Sequence, residues 1–264
     1  MSLIAMAVHD TEDNGRTSYT DKTIESLLKT VDFDKHRLFV IDNNSCRATK
    51  DLYERLVTYW ALNKFPFSHL NIIYNTENIG TAKAINLAWK QRKPGEHCVK
   101  IDNDVVIHSK GWVEEMEEAI EREPILGQVG LKRKDCWEFP EHENKEHRSK
   151  LIMLPHIAGQ RWIVVEQSKH IIGTCVMHSA ALIDKIGYLY QPGLYGYDDV
   201  LMSWRSNLAG FACVFLPHIN IDHIDTGGTE YQGWKERHSG QYTKQVSDIV
   251  DEYISGAKSL YYEP

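Results

Sequence analysis

The feature that most narrows the fold is an alternation in the first hundred residues. Short apolar, β-rich runs at 3–8, 38–42, 71–74 and 98–101 are separated by three stretches with helical spacing. Ile24, Leu27, Leu28 and Val31 recur at i, i+3, i+4 and i+7. Leu52, Tyr53, Leu56, Val57 and Trp60 form a second stripe, and Ala84, Ile85, Ala88 and Trp89 a third. A strand that is apolar on both faces must be covered on both faces, and amphipathic helices crossing between parallel strands supply that cover. The pattern predicts a wound βαβαβαβ unit and places the chain in the α/β class.

The second half is less regular. A helix over 112–122 is expected to bury Trp112, Val113, Met116 and Ile120 and to turn Glu114, Glu115, Glu117, Glu118 and Glu121 to solvent. From 132 to 150 the chain is polar and charged, with Pro140 in the middle, and reads as a long surface loop. Strands are expected at 162–165, with Trp162 in the core, and at 171–177, 212–216 and 219–224; helices at 180–186 and 198–208. After Asp225 the run Thr226-Gly227-Gly228-Thr229 opens a tail with the mobility of a lid, closed by a helix carrying Val246, Ile249, Val250, Tyr253 and Ile254. The organisation expected is one domain over 1–264: a first half at 1–107, a second half at 108–225, and the tail at 226–264.

Composition excludes several classes. With 264 residues, 42% of them hydrophobic, the chain can bury a core without staples. No apolar run approaches the roughly 18 residues of a membrane span, and the N-terminus lacks the basic region and cleavage site of a secretory signal. The five cysteines are scattered, with no C-x-x-C pair, so reduced thiols and a cytoplasmic location are expected. Thirty basic against 37 acidic side chains leave a net charge of −7, which argues against a generic grip on a polyphosphate backbone. Lys132, Arg133 and Lys134 form a local basic cluster that could contact phosphates, although a solvated loop is the more frequent meaning of such a run.

The chemistry concentrates where strands end. In Lys100-Ile101-Asp102-Asn103-Asp104 two carboxylates stand two apart, so on extended chain both face one side at the carboxyl edge of the sheet. That edge is where open α/β sheets bind ligands, and paired hard oxygens suit Mg²⁺ or Mn²⁺, although a bare pair of this kind is more often a strand end with two solvated aspartates. A second strand ends in Asp42-Asn43-Asn44-Ser45, where Asp42 can accept from a base N–H or a ribose hydroxyl, or serve as a helix-capping turn. Asn78-Ile79-Gly80 opens a helix carrying Lys83 and Asn86; its free amides and Lys83 would favour an anion, while a capped helix with an exposed lysine fits the same residues.

Taken together, these segments resemble the nucleotide-binding half of GT-A fold glycosyltransferases, in particular the inverting family 2. The resemblance continues through Gly173-Thr174-Cys175-Val176-Met177, through Gly196-Tyr197-Asp198-Asp199-Val200-Leu201-Met202-Ser203-Trp204-Arg205, which is similar to the family's acidic "ED" motif and trailing arginine, and to His223. It covers residues 3 to 225 in the family's order. Departures are Asp198 in place of Glu and Leu201 where a further acid often stands.

The resemblance implies a Rossmann-like, mostly parallel sheet flanked by helices, with an acceptor-side extension and a helical tail. It implies a metal-dependent transfer from a nucleotide-diphosphate sugar, a UDP-sugar foremost, to an acceptor hydroxyl. Its DXD motif makes Asp104 the direct ligand of Mn²⁺ or Mg²⁺, puts Asp102 on ribose or a metal-bound water, and lets His223 complete the metal site. Asp10, Asp42, Asn78, Gly80, Lys83, Asp102 and Asn103 would hold the donor. Asp199 is the general base of an inverting displacement, with Asp198 second. Tyr197, Arg205 and Trp234 would face the acceptor, a saccharide foremost and a modified nucleobase in DNA as a second class. Three alternatives remain open: a retaining GT-A enzyme, a sugar nucleotidyltransferase, and a non-catalytic carbohydrate-binding module.

Overall fold

The computed structural model describes residues 1–135, 150–225, 233 and 237–264. Its centre is a 10-stranded mixed sheet. The strands are β1 (Ser2–Val8), β2 (Arg37–Asn43), β3 (Leu70–Asn75), β4 (His97–Ile101), β5 (Val105–Ile107), β6 (Leu126–Arg133), β7 (Lys150–Met153), β8 (Val164–Ser168), β9 (Cys175–His178) and β10 (Ala212–His223). Their order is β3-β2-β1-β4-β9-β6-β10-β8-β7, with β5 pairing β10 off this path. The first four in that order run parallel, in registers such as Ala5 opposite Phe39 and Lys100. β9 then inserts antiparallel between β4 and β6, joining the two halves through one sheet.

Helices α1 (Thr17–Thr30), α2 (Arg47–Leu62) and α4 (Trp112–Arg122) cover one face; α3 (Thr81–Trp89), α5 (Ala180–Ile186) and α6 (Asp198–Leu208) cover the other. Alternation along β1 divides the core accordingly. Ile4, Met6 and Val8 pack with Leu27, Tyr53 and Trp112, while Leu3 and Ala5 pack with Ala84, Trp89, Ile183 and Met202. The tail helix α7 (Thr243–Ser255) seats Val246, Ile249 and Tyr253 on Leu201 of α6, so the residue standing where a further acid was looked for is a contact for the tail.

Several expectations are corrected. Trp162 is 59% exposed, ahead of β8, with its ring 3.9 Å from that of His156. Glu115 is buried, because His218 and Arg161 both reach it from the neighbouring layer. The two strands expected at 212–224 are one strand, β10, bent by an irregularity between Leu216 and Asn220. β6 runs on into the segment expected to be loop, carrying Lys132 into a buried pair with Glu166 at 2.9 Å, while Arg133 pairs with Asp135. The expected basic cluster is thereby divided. Residues 136–149 lie outside the described residues, as do Thr226 to Thr229 and Trp234. No helix among the described residues is long and apolar enough to cross a membrane.

Candidate active site

A cleft of about 810 Å³ opens at the carboxyl ends of β1, β2 and β4, where the parallel strands stop and the chain turns over the sheet edge. Its walls include His9, Arg16, Asn43, Asn78, Asp102, Asn103 and Asp104 from the first half, and Gly173, Tyr195, Asp198, Asp199 and His223 from the second.

Asp104 is buried. Its Oδ2 accepts a 2.6 Å ion-paired hydrogen bond from Arg16 and stands 3.5 Å from Nε2 of His223. Burial works against its ionisation, but His223 and Arg16 together hold the carboxyl well below the usual range. Its Oδ1 is buried without a hydrogen-bond partner. A carboxylate oxygen stripped of water and left without a donor is costly unless a cation meets it. Among the described residues no three His, Cys, Asp or Glu side chains form a ready-made metal cluster. The orphaned Oδ1, with an imidazole beside its partner oxygen and Asp102 two residues away on the same wall, nonetheless fits a hard divalent cation.

Asp102 faces the cleft with Lys100 Nζ at 3.5 Å; burial and the neighbouring Asp104 and Asp198 push its carboxyl upward, against the pull of Lys100. Asn103 is held from behind: its amide donates to Asp10 Oδ1 at 2.9 Å and Thr20 Oγ1 at 2.8 Å. Asp10 itself is fully buried and also receives the hydroxyls of Thr20 and Thr49. It supports the edge of the cleft from underneath, where the sequence predicts a ligand contact.

Asp42 is likewise fully buried. Its oxygens accept from the Ser45 backbone N–H at 3.2 Å and the Tyr53 hydroxyl at 3.1 Å, which ties β2 to α2. The neighbouring Asn43 points the other way and lines the cleft, its amide reaching the Gly80 carbonyl at 3.4 Å. Period-2 alternation explains the swap: Asp42 and Asn43 cannot share a face.

The start of α3 is occupied. The N–H of Thr81 donates to the Leu194 carbonyl at 3.3 Å and that of Ala82 to Gln191 Oε1 at 3.1 Å, so these amides are not free for an anion. Asn78 accepts from the Gly80 N–H, and Gly80, at φ +88°, lets the backbone of Leu194 approach to where a Cβ would meet it at 3.0 Å. Lys83 is exposed and lines an adjoining cleft with Lys90. Asn86 is buried, exchanging hydrogen bonds with the backbone of Leu189.

On the opposite wall, α6 begins with Asp198 and Asp199. Asp198 Oδ2 pairs with Lys100 Nζ at 2.8 Å. Asp199 accepts the Gly173 N–H at 3.0 Å and the Val200 N–H at 2.8 Å, and lies 3.4 Å from His170 Nε2. Burial opposes its ionisation, yet His170, Lys100 and the Gly173 amide outweigh that and hold it at about 2. Tyr197, immediately before α6, has φ +68°, a strained region for a side chain of this size. Its hydroxyl pairs with Thr243 Oγ1 at 2.7 Å, so it faces the tail.

Arg205 corrects the expectation that it faces the acceptor. It is fully buried, and its guanidinium donates to the carbonyls of Ile186, Tyr188 and Leu260. With no carboxylate to meet it, burial pushes its pKa down to about 10.

Arg16, Asn43, Lys100 and His170 escaped the sequence reading as separate participants. Lys100 carried a signal, being two before Asp102 on one strand face; Arg16 and His170 carried none, since their partners are distant in sequence.

A doubly covered sheet with acids from both halves converging on one edge cleft defines the architecture of GT-A glycosyltransferases. Solved structures of that fold align with this chain. A mannosyltransferase from Pyrobaculum calidifontis in complex with GDP-Man and Mn²⁺ aligns with TM-score 0.64 at 16% identity, over 88% of this chain and 59% of that one. GalNAc-T7 with UDP, GalNAc and Mn²⁺ aligns with TM-score 0.60 at 14% identity, over 84% and 43%. Residues 1–349 of S. aureus TarS in complex with UDP align with TM-score 0.57 at 17% identity, over 84% and 59%. This chain thus spans about half the length of these neighbours. No curated protein sequence matches it. The model of glycosyl transferase family 2 matches residues 14–187. The chain belongs to that family.

Proposed function

We propose that this enzyme transfers a sugar from a nucleoside-diphosphate sugar to an acceptor hydroxyl, with a divalent cation and with inversion at the anomeric carbon. The observation that carries this reading is the convergence on one cleft of Asp102, Asp104 and His223 from the donor side and Asp198 and Asp199 from the start of α6. Fold neighbours seen with GDP-Man and Mn²⁺, and with UDP, support it.

Asp104, through its unpartnered Oδ1, and His223 would hold Mn²⁺ or Mg²⁺, with Asp102 on the ribose or on a cation-bound water. When bound, the cation supplies charge neutralisation for the departing diphosphate. Asn43, Asn78 and His9 line the part of the cleft suited to the base and ribose of a nucleotide, a UDP-sugar foremost. Asp10 takes no direct part and holds Asn103 in place. Asp199, ionised and partly open to the cleft, accepts the proton of the acceptor hydroxyl, while Asp198 is held by Lys100. A saccharide is the acceptor class favoured: the burial of Lys132 removes one of three basic residues that a nucleic-acid acceptor would have used.

Titration calorimetry with UDP and GDP, each with and without Mn²⁺, tests the donor side. Uptake that requires Mn²⁺ is expected; no uptake under any of the four conditions would sink the reading. Anomer-resolved NMR of the product distinguishes inversion from retention.

A further inference from the structure

Lys100 has a place in the site that the family motif does not assign. It projects from β4 onto the same face as Asp102, with its side chain 7% exposed and its ammonium 2.8 Å from Asp198 Oδ2 and 3.5 Å from Asp102 Oδ1. The third carboxylate lies across Gly173: a Cβ there would stand 2.7 Å from Lys100 Nζ and 3.0 Å from Asp199 Cβ, so a side chain at this position would displace the ammonium from where it now sits. From β9, His178 also faces Lys100; burial and that ammonium push the imidazole down to about 3, so it brings no second positive charge. His170 approaches Asp199 Oδ2 at 3.4 Å, Gly173 gives the same oxygen its N–H, and Asp104 and His223 lie beyond Asp102. One buried cation therefore touches the acid that ends β4 and the acid that begins α6.

We infer that Lys100 is a positioning residue which pins the first turn of α6 to the donor edge of the sheet, and so holds Asp199 opposite the departing diphosphate. The inference rests on the transfer reading above for its chemical consequence, and on the geometry alone for the pinning. A salt bridge that served only stability would contribute equally to every property of the fold. A positioning contact acts on turnover more than on donor affinity, because a base displaced by about 1 Å costs on the order of 100-fold in rate while leaving the nucleotide subsite intact.

Two measurements on the full chain separate these cases. Amide hydrogen exchange, which needs no ligand, should show Val200 and Leu201 exchanging about tenfold faster in Lys100→Met, with the protection of β1 retained; unchanged exchange at α6 would overturn the inference. Release of UDP or GDP from UDP-glucose, UDP-GlcNAc and GDP-mannose, with Mn²⁺, should fall about 100-fold in Lys100→Met while calorimetric affinity for UDP or GDP changes less than about threefold. Equal losses in both would reduce Lys100 to a structural ion pair. Lys100→Arg should recover part of the turnover. Gly173→Ala, which keeps every charge and puts a methyl group 2.7 Å from the present position of Lys100 Nζ, should lower turnover in the same direction and decides the matter if Lys100→Met does not fold. A wild-type chain that takes up neither nucleotide would count against the proposed function only, since the exchange experiment stands without it.

Discussion

Two strand ends of this molecule look alike in sequence and differ in use. β2 ends in Asp42-Asn43-Asn44-Ser45, and β4 runs into Asp102-Asn103-Asp104. At the first, Asp42 is enclosed and meets the Tyr53 hydroxyl and the Ser45 amide. At the second, Asp104 keeps one buried oxygen without any donor and shares the other with Arg16 and His223. The difference teaches that a strand-end aspartate keeps an oxygen open when its surroundings offer that oxygen no hydroxyl or amide. Where the helix does, the same residue becomes a joint of the scaffold.

The comparison predicts its own tests, of which Asp104→Ala should have the largest effect. Calorimetry should show Mn²⁺-dependent uptake of UDP or GDP weakened by at least about 100-fold, against less than about threefold for Asp42→Asn. Similar losses in the two variants would erase the distinction.

Asp199→Asn should lower turnover by about 100-fold or more while nucleotide uptake persists. It also changes the acid limb of stability. The native carboxyl sits at about 2, below the roughly 3.9 of an unfolded aspartate, so its contribution is fully present above about pH 4 and is lost as pH falls towards 2. That contribution is about 2 kcal/mol, and urea midpoints of the variant between pH 5 and pH 2.5 should fall less steeply than those of the wild type.

Asp42→Ala should cost about 1–3 kcal/mol of stability by urea unfolding, because the Tyr53 hydroxyl and the Ser45 N–H lose their acceptor inside the fold. The smallest effect belongs to Lys83→Ala. From its exposed position on the adjoining cleft it should shift stability by less than about 0.5 kcal/mol and leave nucleotide affinity unchanged.

What could be seen in the sequence follows from the range of the interactions involved. The strands and helices of the first half are set by local periodicity, so Leu27, Tyr53 and Trp89 fall in the core where their spacing puts them. Asp102 and Asp104 were visible for the same reason. The enclosure of Asp10 and Asp42 could not be seen, because what a carboxylate meets depends on what stands behind it: Thr20 and Thr49 in one case, Tyr53 in the other. Arg205 shows the limit most plainly. Its partners are backbone carbonyls, which no residue type announces. Trp162 failed for the opposite reason, since an aromatic beside a strand pattern carries no mark of the histidine that stacks on it in the open.

The three carbonyls gathered by Arg205 give α6 a second attachment far from its acidic end. Because backbone oxygens are what the guanidinium grips, the stretch around Leu260 is recognised by its path and not by its side chains. Side chains in that stretch can therefore be exchanged without loosening the grip, whereas a change in its backbone course would leave a buried guanidinium short of an acceptor.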